Sequence, residues 1–130
     1  LNGSVYTTTQ AFGNNSTLLA TTAFVQAAVS AENINTTAKT AAYTLATTDA
    51  NTLVQMNGAY AFTVPLNSSV SYPVGTQINL VALTAGVTVA FTSGITAYYT
   101  PGLKLRAAGS MATLVKLGTD TWVLTGDLAA

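Results

Sequence analysis

Histidine and cysteine are both absent from this chain of 130 residues. Without histidine there is no Ser-His-Asp triad, no histidine-ligated zinc and no side chain whose ordinary pKa suits a general base at neutral pH. Without cysteine there is no disulfide framework, no thiolate nucleophile and no thiolate-bound metal, while the redox compartment stays open. Charge is scarce as well: four basic and four acidic residues give a formal net charge of zero, 6% of the chain, against about 25% in an average globular protein. Lys39, Lys104, Arg106 and Lys116 form no basic cluster, which excludes an electrostatic footprint for nucleic acid or for an anionic membrane. Lys104 and Arg106, two apart, are expected on one face of a strand as solvated side chains. No apolar run approaches the roughly 18 residues that span a bilayer, so no membrane insertion is expected. No charged-apolar-small signal pattern opens the chain, and a start at Leu1 rather than Met reads as a piece or processed form of something longer.

What is present is hydrophobicity without charge. Apolar residues make up 49% of the chain and two dozen residues are threonine, which is polar yet β-branched and at home in sheets. Threonine keeps part of such a surface wet, and burial against other subunits is expected to cover the rest. The composition therefore points to assembly. One domain with a short extension fits the length.

Along the chain, residues 1–13 read as the end of a preceding strand or shaft segment. Residues 13–16 form an Asn/Ser turn able to cap a helix, and residues 17–32 form that helix. Leu18, Val25 and Val29 share a face with Thr21, Thr22 and Ala28. A helix this short and this rich in Thr and Val is marginal alone, so it needs a partner. Parallel copies of itself around an axis supply one; its own β-domain is the other. Turn and helix together occupy 14–32, and residues 33–40 read as a linker.

From residue 41 to 130 the apolar period becomes two. Strands are expected at 41–45, Leu53–Met56, 59–64, 77–83, 87–92, 103–107, 112–117 and 121–125. Asn57-Gly58, Thr84-Ala85-Gly86 and Gly118-Thr119-Asp120 read as hairpin turns. Residues 94–102 read as a Gly-bounded loop carrying Tyr98 and Tyr99, and Trp122 alternates with Leu124 on a core face. The fold class is mainly β: a small antiparallel sandwich or barrel of about eight short strands, preceded by one short N-terminal helix. No internal repeat of 20 to 50 residues is visible.

Little catalytic chemistry is on offer. The acids are Glu32, Asp49, Asp120 and Asp127. Glycan cleavage needs two carboxyl groups roughly 5 to 9.5 Å apart, whereas Asp120 and Asp127 bracket a strand of about 23 Å at roughly 3.3 Å per residue. No phosphate-binding glycine loop occurs. Asp49-Ala50-Asn51 lacks the charge of a calcium loop and reads as a turn held by side-chain-to-backbone hydrogen bonds. No enzyme activity, cofactor or metal is expected. Sugar binding needs only aromatic faces and polar neighbours, and Tyr98, Tyr99 and Tyr72 are the candidates. The competing reading of each is a ring covering the edge of the core with its hydroxyl in water.

Asn14-Asn15-Ser16-Thr17-Leu18-Leu19-Ala20-Thr21-Thr22-Ala23-Phe24-Val25 resembles a segment that recurs in bacteriophage tail fibres, D-N-S-T-K-L-A-T-T-A-F-V, where a polar turn leads into a small helix. Asn14 replaces the acid and Leu18 the lysine, so both departures remove charge. Pro65-Leu66-Asn67-Ser68-Ser69-Val70-Ser71-Tyr72-Pro73-Val74-Gly75-Thr76-Gln77-Ile78 is similar to a stretch of tail-fibre and virion-surface modules. Gly118-Thr119-Asp120-Thr121-Trp122-Val123-Leu124-Thr125-Gly126-Asp127-Leu128 looks like the way such modules close. The three segments cover about a third of the chain. The resemblance implies a structural and adhesive module of a tail fibre on the outer surface of a virion, made in the host cytoplasm. It implies a homotrimer held through Leu18, Thr21, Val25, Ala28 and Val29, in contact with other virion proteins and presenting loops to a host-surface polysaccharide. The alternative is a head-decoration or cement module that binds virion proteins only.

Overall fold

The computed structural model describes residues 37–130 together with Thr22, Ala23 and Val25. The chain divides into two units, residues 1–33 and 34–130. In the first, Thr22, Ala23 and Val25 have helical backbone and exposed side chains. The rest of the expected helix lies outside the described residues, including Leu18, Thr21, Ala28 and Val29, as do the capping turn and the preceding strand.

The second unit is mainly β, with ten strands: β1 (Tyr43–Thr44), β2 (Leu53–Met56), β3 (Ala61–Val64), β4 (Gln77–Ala82), β5 (Thr88–Phe91), β6 (Thr96–Tyr99), β7 (Lys104–Leu105), β8 (Met111–Gly118), β9 (Thr121–Gly126) and β10 (Leu128–Ala129). They form two five-stranded sheets, ordered β1-β3-β5-β7-β10 and β2-β4-β8-β9-β6. Up to β8, successive strands alternate between the sheets. Among the first five strands, those that neighbour one another within a sheet are therefore two apart in sequence and run the same way: β1 with β3, β3 with β5 and β2 with β4 are all parallel. The chain winds as a short two-sheet coil. Antiparallel strands then complete it, β8 against β4 and β9, β7 against β5 and β10.

The sheets are thus mixed rather than antiparallel, and two expected hairpins do not exist. β2 and β3 lie in different sheets, as do β4 and β5. A type I′ hairpin needs positive φ at both central residues, and Asn51 is the one non-glycine residue of positive φ among those described, so Asn57 cannot make that turn. Instead the Gly58 N–H donates to Thr84 Oγ1 at 2.8 Å, which stacks the two sheet-crossing turns on each other. The third expected hairpin is present, β8 against β9 with Val115 opposite Val123. Part of the expected linker also pairs: Lys39 bridges Met56 at the edge of β2.

Alternation predicts burial well. Val54, Met56, Phe62, Val64, Ile78, Leu80, Leu114, Trp122 and Leu124 fill one core between the sheets. Tyr60, within the strand expected at 59–64, instead precedes β3 and is exposed.

Candidate functional site

Tyr98 and Tyr99 lie on a strand, not in a loop. β6 occupies the edge of its sheet and pairs in parallel with β9, Tyr98 beside Val123 and Tyr99 beside Leu124. Adjacent residues of a strand point to opposite faces, so the two rings diverge. Tyr99 follows Leu124 toward the core side and stacks on Phe91, centroids 6.4 Å apart with planes 13° from parallel. Tyr98 stands on the outer face and is 58% exposed. Around them Ala97, Thr100, Val123, Leu124 and Thr125 line an open hollow of about 610 Å³, within the range of about 300–1,000 Å³ common for ligand sites. No lining residue is charged.

Tyr72 offers no face to a ligand. It is 3% exposed, meets Trp122 edge to face at 5.6 Å and donates its hydroxyl to the Ala46 carbonyl at 2.7 Å. As a sugar-stacking ring it is replaced by a core role. Burial first, then the negative charge of Asp49, raises its phenol above the ordinary range.

Two polar clusters hold buried charged residues, Asp49 and Lys116. In the first, Asp49 ends a 3-10 turn, Thr47–Asp49, and is buried. Its Oδ2 accepts from the Ala46 N–H at 2.7 Å and from the Tyr43 hydroxyl at 2.9 Å. Burial, then that hydrogen bond, pushes the Tyr43 phenol up to about 12. The Asp49-Ala50-Asn51 segment is the side-chain-bonded turn expected, with Asn51 in the left-handed region at φ 59°. In the second cluster, Lys116 is buried on the inward face of β8. Its Nζ donates to Asn67 Oδ1 and to the Tyr72 carbonyl. Parity held the signal for it, since Ala112, Leu114 and Lys116 share one side of a strand.

The remaining charges are paired or solvated. Arg106 grips Asp127 through Nε at 2.6 Å and Nη2 at 2.8 Å, and Ser110 Oγ donates to the same carboxylate at 2.7 Å. The guanidinium, then the Ser110 hydroxyl, hold Asp127 below the usual carboxylate range. Lys104 is exposed. Among the described residues no three acids gather to hold a metal ion, and no helix is long and apolar enough to cross a membrane. Glu32 lies outside the described residues.

The outer face of the β2-β4-β8-β9-β6 sheet carries no charge at all. Pairing sets Gln77, Val115, Val123 and Tyr98 in one row and Asn79, Thr113 and Thr125 in the next. Met111 and Leu117 stand on the same side of β8, 49% and 51% exposed. No family model, curated protein or solved structure matches the chain.

Proposed function

We propose that this chain is a structural and adhesive module of a phage tail fibre, assembled as a homotrimer and presenting its β6 edge to a host-surface glycan. The observation that carries the reading is the charge-free outer face of the second sheet. Exposed Tyr98, Met111 and Leu117 on an uncharged sheet face are what a surface meant for contact with another protein presents. The scarcity of charge in the sequence gives the same expectation, and so does the resemblance of residues 14–25. The hollow beside Tyr98 supports attachment: it is shallow, uncharged and aromatic, suited to a sugar ring and to no phosphate or carboxylate.

Binding of purified protein to host cells tests it. Aromatic contacts are worth about 0.5–1.5 kcal/mol each, so Tyr98→Ala is expected to weaken adsorption roughly fivefold per site, and more where three sites act together. Unchanged adsorption removes the hollow from the reading. Protein that co-purifies with empty capsids and binds no cells supports the cement module instead. Release of reducing ends from capsular polysaccharide overturns the non-enzymatic reading.

A further inference from the structure

Lys116 follows Ala112 and Leu114 on the inward face of β8 and is 2% exposed. Its Nζ lies 2.5 Å from Asn67 Oδ1, 2.7 Å from the Tyr72 carbonyl oxygen and 5.9 Å from the centre of the Trp122 ring. No carboxylate is paired with it: the one ion pair among the described residues is Arg106–Asp127. An ammonium this deep is costly, because two carbonyls and a ring face replace only part of its hydration. Asn67 is held from the other side, its backbone N–H donating to Asp120 Oδ1 at 2.7 Å. An amine and a carboxamide thus meet at one place beside the Trp122 ring, and Asp120 anchors the backbone of the residue that carries the carboxamide.

We propose that Lys116 and Asn67 join through a spontaneous isopeptide bond between Nζ and Cγ. A C=O bond is about 1.2 Å long, so Cγ lies no more than about 3.7 Å from Nζ, beside the roughly 3–3.5 Å of a near-attack arrangement. The fold fixes both partners, Lys116 by the β8 ladder and Asn67 by Asp120. In the reaction the Nζ lone pair attacks Cγ, the Cγ–Nδ2 bond breaks, and Nδ2 leaves as ammonia. The Nζ ammonium sheds two protons, one to free its lone pair and one on forming the amide, and both end on the departing nitrogen, so the ammonia is released as ammonium. Lysine ammonium and carboxamide therefore give a secondary amide and ammonium, with no oxidant, reductant or added reagent. The product replaces a buried cation by a neutral amide and ties β8 to the connection between β3 and β4.

Mass spectrometry of the purified full chain tests the bond. The intact protein is expected to be lighter than its sequence by one ammonia. A succinimide at Asn57-Gly58 loses the same mass, so a tryptic map decides. The cross-link yields a branched peptide joining residues 40–104 to residues 107–130, uncut after Lys116; a succinimide yields linear peptides only. Lys116→Arg and Asn67→Ala are each expected to abolish the branched peptide and lower the melting temperature. Linear peptides with cleavage after Lys116 in the aged wild-type protein overturn the proposal, whether or not the variants fold. A Lys116 branch that persists in Asn67→Ala overturns the assignment of its partner.

Discussion

Burying a carboxylate is expensive unless donors meet it, and Asp49 is met by the Ala46 N–H and the Tyr43 hydroxyl. The same contacts act on Tyr43, whose proton is held more tightly in the folded chain than in the unfolded one. With the folded pKa near 12 against an unfolded value of 10.0, this stability is fully present below pH 10. It is lost as pH rises from 10 toward 12, because the unfolded state ionises first. Urea unfolding across that window is expected to show a falling free energy, and the phenolate absorbance of the native protein should lag that of the denatured chain. Tyr43→Phe is the control. It should shorten the lag and flatten the alkaline loss; an unaltered titration in that variant would assign the effect to another group. Tyr72 is raised as well, by burial first, so part of the lag is expected to remain.

At the scale of elements, the glycines marked where the chain turns but not where it leads, and at Asn57-Gly58 the expected hairpin turn itself is absent. Gly86 has φ 90°, the left-handed conformation that the Thr84-Ala85-Gly86 loop demands, yet the loop carries the chain from one sheet to the other. Alternation reports which side of a strand is buried. It is silent on which strand lies beside it, because Phe62 faces the same core whether β3 pairs with β2 or with β5. Unequal connections hid the coil: Tyr43 pairs with Phe62 and Phe62 with Val89, two steps of different length that leave no sequence repeat. Trp122, Leu124 and the β8–β9 hairpin were legible because local pattern and local pairing coincide there. The Lys116 cluster was not, since its partners come from a loop some fifty residues earlier. The stacked turns make a test. A Cβ on Gly86 would lie 2.8 Å from the Ala59 Cβ, in a backbone conformation that L residues rarely adopt. Gly86→Ala is expected to destabilise by about 1–3 kcal/mol, read from denaturant midpoints. A neutral effect would show that the two turns do not pack together.

For the whole molecule, the position of each charge matters more than the count. Of the seven charged residues described, Asp49 and Lys116 are buried and Arg106 and Asp127 neutralise each other, which leaves Lys39, Lys104 and Asp120. The outer face of the second sheet receives none of them. Five strands about 4.8 Å apart, averaging between five and six residues of roughly 3.3 Å each, give that face on the order of 450 Å². That is about half of the roughly 800 Å² each partner buries in a stable complex. A surface so lacking in charge is expected to bind further copies of the chain. Light scattering at micromolar concentration should then give a mass well above the 13.3 kDa of one chain. Val115 lies mid-face between Gln77 and Val123, so Val115→Lys would bury an unpaired ammonium in any contact made there, at several kcal/mol. The variant is expected to scatter as a monomer while keeping the wild-type circular dichroism. Lys104→Thr, on the other sheet, should leave the assembly intact. A wild-type monomer, or a Val115→Lys protein that assembles unchanged, would show that this face meets water alone and that threonine suffices to keep it soluble.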